Sequence, residues 1–268
     1  MPPGGSGASN RARLLDTRAS LSGVSGTLGM GGKIYSHACE FDQGGDVVTI
    51  DIFADALFTP REVSTYLEIP QSTVYYWLRS SSAGAGPLVH HIAPERRGTA
   101  SVPFAALIEA FVLRALRNQL KFTKRQIADT VVDVRDNFGT DFALASRRIA
   151  TDGIDIFIRH NDGEFARVGD HQVLLREVVG DYLKFITWST ETEYAARLRL
   201  PAFNEDAKVI VDPQFSWGAP VVERNKVPVR AVLDLWAAGE PMAVVADEYG
   251  LTETEVEEIC RVGLKRAA

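Results

Sequence analysis

The stretch from Leu57 to Arg79 constrains this chain more than any other, because its signals leave room only for two short helices joined by a tight turn. Thr59 is placed to cap a first helix, Pro60 suits the first turn, and Glu62 completes a capping box. Val63, Tyr66 and Leu67 then share one face. Glu68-Ile69-Pro70 interrupts the pattern, since proline disfavours helix at the residue before it. Ser72 or Thr73 is expected to cap a second helix whose apolar stripe is Val74, Trp77 and Leu78. Gln71, Ser72, Thr73, Tyr75, Tyr76 and Arg79 fall on the outer side, with the side-chain types that meet bases and phosphates.

In its short polar turn, followed by a helix ending in an aromatic, a tryptophan and a basic residue, this stretch resembles the helix-turn-helix of the MerR-like DNA-binding proteins. The likeness covers about twenty residues. A small helical hairpin with a tryptophan anchor and no DNA partner would read the same way.

Whether the rest of the chain suits DNA depends on where its charge lies. The net charge of −6 over 268 residues argues mildly against nucleic acid, but the distribution is uneven. From Asp55 to Ala150 there are 12 Lys and Arg against 9 Asp and Glu; from Pro201 onward there are 7 against 12. A basic first part and an acidic last part suit a DNA-binding end joined to a protein-binding end. The length suggests about two domains. No apolar run is long enough to span a bilayer, and the N-terminus lacks a signal-peptide core, so no membrane partner is expected. Cys39 and Cys260 lie far apart and form no ligand pair, and a reducing cytoplasm is the expected home.

Along the chain, residues 1–45 are rich in Gly and Ser and are expected to be a disordered leader. Val47 to Phe53 is β-rich and reads as a short strand or as a lead-in to the first domain. After Arg79, Leu88 to Ile92 and Ala100 to Val102 read as the two strands of a wing carrying Arg96 and Arg97 at its tip. His90 and His91, adjacent on a strand, would point apart, as surface or wing side chains. Phe104 to Leu116 has helical periodicity, followed by Arg114, Arg117, Lys121, Lys124 and Arg125. Thr123 and Gln126 form a second capping box, opening a helix whose stripe Ile127, Val131, Val134 and Phe138 is either core or a dimer seam.

Further on, Ile154 to Ile158 and Phe165 to Val168 read as strands around an Asn161-Asp162-Gly163 turn. Leu174 to Ile186 reads as an amphipathic helix, and Tyr194 to Leu200 and Lys208 to Val211 as strands. The expected fold is mainly α with small β elements: a winged helix-turn-helix domain over 46–140, a small α+β linker domain over 141–205 and a three-helix domain over 206–268.

In that last part, Val229, Val232, Leu233 and Trp236 share a face, Pro241 opens a helix carrying Val244, Val245 and Tyr249, and Gly250 closes it. Thr252 and Glu255 cap the final helix, which turns Val256, Ile259 and Cys260 inward. Across about fifty-five residues the pattern resembles the small trihelical domain of unknown function found in many bacterial antitoxin-like proteins. It is carried by Asp212-Pro213, Gly218, Pro220-Val221, Val227-Pro228, Ala238-Gly239-Glu240, Ala246-Asp247, Tyr249-Gly250, Thr252 and Glu255-Val256. Glu223-Arg224-Asn225-Lys226 departs from it, where the family usually shows Gly-Thr-Arg. The last two helices also have a helix-turn-helix outline, but Glu253, Glu255, Glu257 and Glu258 are expected to crowd its outer face and repel phosphates. Dimerisation, or capture of a basic partner, suits that face better.

For catalysis the sequence shows no phosphate loop, nucleophile elbow or metal-spaced ligand set, and no cofactor is expected. Asp152 with Asp155, and Asp162 with Glu164, are the acid pairs that could hold a divalent ion, although solvation explains them as well. Together, the two likenesses make the chain similar to the larger VapB-type antitoxins of bacterial toxin–antitoxin operons. That resemblance implies a non-enzymatic antitoxin that neutralises a PIN-domain ribonuclease toxin and represses their shared promoter. Binding to double-stranded promoter DNA would be as a homodimer, through Ile127–Phe138 or the C-terminal helices, with Arg61, Arg79, Arg96 and Arg97 on phosphates. The rivals are a stand-alone MerR-like regulator with a ligand-sensing or dimerising C-terminal half, and an enzyme assembled from scattered acids.

Overall fold

A computed structural model describes residues 50–79, 86–94, 96–118, 121–160, 177 and 179–267. The leader 1–45 and the Asn161-Asp162-Gly163 turn with the strand expected after it lie outside these residues.

Helix α1 (Pro60–Leu67) opens as its capping box requires. Thr59 Oγ1 accepts from the Glu62 N–H, and the Glu62 carboxylate accepts from the Thr59 N–H at 2.8 Å. Glu68 ends the helix in the left-handed region (φ 50°, ψ 45°), and the Ser64 hydroxyl donates to the Ile69 carbonyl at 2.6 Å, closing the turn. Helix α2 (Gln71–Leu78) then starts directly after Pro70, which occupies the N-cap with no side-chain cap. The expected cap at Ser72 or Thr73 is therefore corrected: both lie inside the first turn, because proline's fixed φ sets the chain on a helical course earlier.

Helix α3 (Phe104–Asn118) buries twelve of its fifteen residues and is the central element on which α1 packs. A helix apolar nearly all round belongs inside a core. Helix α4 (Lys124–Phe138) has both halves of the Thr123–Gln126 capping box and a left-handed Gly139 cap. Its stripe Ile127, Val131, Val134 and Phe138 is buried within the chain, so of the two readings it is core.

Of the two readings of 47–53, strand or lead-in, the described residues fit the lead-in, and the strand expected at 154–158 is corrected. Within the described residues, 50–53 enter a turn organised by the Asp51 carboxylate, which accepts the Phe53 and Ala54 N–H groups. Residues 154–158 lie in a helix, α5 (Asp152–His160). Acids at its start and Arg159 and His160 at its end complement the helix dipole. Ile154 and Phe157, three apart, both face inward. His160 Nε2 meets Asp133 Oδ2 at 2.7 Å, fixing α5 to α4, so tertiary packing overrides the β preference of three isoleucines.

Helical residues 179–183 lead into an antiparallel sheet ordered β1 (Ile186–Trp188), β2 (Ala195–Arg199), β3 (Val209–Val211) and β4 (Val221–Val222). Leu198 faces Ile186 on one side and Val211 on the other, and Val209 faces Val222. The expected strands around 194–200 and 208–211 are present as β2 and β3. β1 takes Ile186, expected to end the preceding helix, and the sheet runs across the boundary expected at 205. The tail is three helices, α6 (Val229–Ala237), α7 (Met242–Tyr249) and α8 (Glu253–Ala267), packed on one another. Val245, Val256, Ile259 and Cys260 are buried as expected, whereas Val244 is exposed. Among the described residues no helix is long and apolar enough to cross a membrane.

Candidate nucleic-acid interface

Helix α2 is held by its inner face. Trp77 is 2 % exposed, and Val74 and Leu78 are buried beside it. That anchorage leaves Gln71, Ser72, Tyr75, Tyr76 and Arg79 exposed, with Tyr75 at 48 % and Tyr76 at 44 %. No part of the described chain seals this surface. Thr73 departs from expectation: it is buried, and its Oγ1 accepts from Arg117 Nη1 at 2.8 Å. It clamps α2 to α3 and does not reach outward. The cause is geometric, since Thr73 stands one turn before Trp77 on the inward side.

Arg61, on α1, is exposed, as are Arg96 and Arg97. The wing that carries the last two is a loop without strands among its described residues. A hydrogen bond from the Ile92 N–H to the Ser101 carbonyl (2.8 Å) joins its limbs, and a bridge ties Val102 to Phe58, just before α1. The Thr99 N–H and hydroxyl both return to the Arg96 carbonyl, tightening the tip. Pro94 supplies no N–H for a ladder at this point. Of the two histidines, His91 is exposed, but His90 turns inward onto buried Glu109, correcting its assignment to the surface.

A second source of positive charge borders α2. The α3–α4 junction brings Arg117, Thr123 and Lys124 against Ser72, Thr73 and Tyr76, enclosing a cleft of about 500 Å³. Lys124 Nζ lies 5.0 Å from the centre of the Tyr76 ring, a cation–π distance. The first turn of α4 contains no acid, although acids are favoured there, and instead carries Lys124 and Arg125. These basic residues were legible in the sequence, but their closeness to α2 depends on the packing of α3.

Of the two acid pairs, one lies among the described residues. Asp152 pairs with Arg148 at 3.5 Å, Asp162 and Glu164 lie outside the described residues, and no group of three His, Cys, Asp or Glu among the described residues could hold an ion.

Helix α8 is less acidic outside than expected, because two of its four glutamates turn inward. Glu255 accepts from the Thr252 N–H at 2.7 Å and from Arg224 Nε and Nη2, each at 2.8 Å. The Arg224 guanidinium, outweighing the opposing effect of burial, holds this carboxyl down to about 2. Glu258 accepts from the Asn204 N–H and from two Arg261 nitrogens. Of the four glutamates of α8, Glu253 and Glu257 stay exposed. Arg224 comes from the loop that departs from the family pattern, and in the same loop Asn225 Nδ2 donates to the Tyr249 carbonyl at 3.0 Å. The substituted loop thus fastens the sheet to the hairpin.

Comparison with known proteins covers both ends of the chain. Residues 56–125, which include α1, α2 and the basic junction, match a family described as "Putative DNA-binding HTH domain". Residues 209–261 match "Protein of unknown function (DUF433)". A protein of Mycobacterium tuberculosis named "Putative antitoxin VapB45" is 30% identical over 224 residues, spanning 75% of this chain and 91% of its own length. The X-ray crystal structure of Rv2018 from Mycobacterium tuberculosis is similar at a TM-score of 0.64 and 29% identity, covering 77% of this chain and 98% of that one.

Proposed function

Because the chain belongs to the VapB-type antitoxin family, we propose that it neutralises a PIN-domain ribonuclease toxin and represses the promoter they share by reading it with α2. The observation that carries the DNA half is the outer face of α2, polar and exposed above a buried Trp77, with cations on either side. Gln71, Ser72 and Tyr75 offer hydrogen-bonding groups to base edges in a major groove. Arg61, Arg79, Arg96 and Arg97 hold phosphates, joined by Lys124 beside Tyr76. Thr73 is withdrawn from the contact set, since Arg117 occupies its hydroxyl.

A homodimer places two copies of α2 in successive major grooves, about 34 Å apart. Ile127–Phe138 is spent within the chain, leaving the C-terminal half as the better dimer contact. The protein acts in the cytoplasm, without catalysis of its own, by covering the toxin. Co-expression with the PIN-domain protein encoded beside it tests the pairing: the two should purify together, with the ribonuclease silent. A toxin that stays active and separate in the presence of folded protein rejects it.

A further inference from the structure

Helix α3 is apolar along almost its whole length, yet one of its fully buried positions is Glu109, at 0 % exposure. A carboxylate taken out of water is costly unless it is paired and hydrogen-bonded. Its partners come from a short strap, residues 87–90, and from α4. The His90 N–H donates to Glu109 Oε2 at 2.9 Å, and His90 Nδ1 lies 2.9 and 3.0 Å from the two carboxylate oxygens. Arg135 Nη2 stands 3.6 Å from Oε1. Arg135 also donates to the carbonyls of Pro87 at 2.9 Å, Leu88 at 3.4 Å and Asp141 at 3.0 Å. Between these ties, the Val89 N–H donates to the carbonyl of Trp77, the anchor of α2, at 3.0 Å. The Phe142 ring packs on the His90 ring at 4.3 Å.

The strap is therefore bound to α2 through Val89, to α3 through His90 and to α4 through Arg135, and it runs directly into the loop that carries Arg96 and Arg97. A buried ion pair is often no more stabilising than well-packed apolar residues of the same volume, and its best-attested use is to fix one arrangement over others. We infer that Glu109 is a positioning residue which, through His90 and Arg135, sets where the Arg96–Arg97 loop stands relative to α2. Its role rests on the DNA-reading function proposed above, and it makes no contact with DNA itself.

Glu109→Gln tests this in the full chain, because it keeps the shape and an acceptor while removing the charge. Binding to a duplex carrying the promoter upstream of its own gene is measured at several salt concentrations. The expected result is an unchanged circular-dichroism spectrum, an affinity lower by about tenfold and a shallower salt dependence as loop arginines lose phosphates. In a protein already bearing Arg96→Ala and Arg97→Ala, the same substitution should cost less than about twofold, since the contacts it disturbs are gone. Equal losses with and without the arginines, or a lowered melting temperature at unchanged affinity, overturn the inference. Should Glu109→Gln fail to fold, His90→Gln, at a half-buried site, is put through the same cycle with the same criteria. Wild-type protein that leaves its promoter unbound overturns the DNA-reading role and this inference with it; wild-type binding with an additive cycle overturns the inference alone.

Discussion

The chain contains two helical hairpins of similar outline, α1–α2 and α7–α8, whose surfaces differ in kind. Around α2, exposed tyrosines and a glutamine are accompanied by Arg61, Arg79 and Lys124, and Arg117 of α3 clamps Thr73. On α8, Glu253 and Glu257 face solvent, while Glu255 and Glu258 are drawn inward by arginines. One hairpin keeps its cations outside and the other uses cations to bury its acids. The backbone outline of a helix-turn-helix therefore says little about DNA until the fate of each charge is known.

The largest effect should come from the anchor of the first hairpin. Trp77→Ala is expected to cost about 3–5 kcal/mol in chemical denaturation and to abolish promoter binding, because it leaves a cavity beneath α2. An intact melting transition would mean that α2 is held by something else. Next is the cap of the second hairpin. Glu255→Ala should cost about 2–4 kcal/mol, through a lost cap and lost charge-assisted hydrogen bonds. Because the folded Glu255 carboxyl is held below its ordinary value, its contribution is complete above about pH 4.5 and lost as pH falls toward about 2. Acid unfolding of wild type and variant should therefore converge over that window, and parallel curves would remove Glu255 from the account.

Smaller changes are expected where charge meets solvent. Arg79→Ala, Arg96→Ala and Lys124→Ala should each leave folding intact and reduce the salt slope of promoter binding by about 0.9, one phosphate each. A slope that does not move excludes that residue from the interface. The smallest effect belongs to the tail: Glu253→Gln with Glu257→Gln should alter promoter affinity by less than about twofold, since the proposed DNA contacts lie on and around α2 and not on α8. A large gain in affinity would mean that the second hairpin also approaches DNA.

Much of the first hairpin was legible because its signals are local. Thr59, Pro60 and Glu62 fix where α1 starts without help from the rest of the chain, and Val74, Trp77 and Leu78 mark the buried face of α2. The misreadings occurred where distant partners decide. Isoleucines at 154, 156 and 158 suggest a strand, yet α5 forms because α4 offers Asp133 to His160 and the core takes Phe157. Thr73 looked like a cap or a base contact until Arg117 arrived from α3, forty-four residues on. Glu255 and Glu258 looked like surface acids because Arg224 and Asn204 are remote in sequence. The cleft beside Tyr76 was hidden for the same reason: its cations were visible, but not the helix they would border.

The most direct test of the central claim, that the outer face of α2 reads promoter sequence, compares binding of the protein's own promoter with a shuffled duplex of equal composition. Wild type should prefer the promoter by about a thousandfold or more. Gln71→Ala with Tyr75→Ala should erase that preference while leaving salt-dependent binding to both duplexes, because phosphate contacts persist when base contacts are lost. A double variant that folds normally and still prefers the promoter as strongly as wild type would contradict the account.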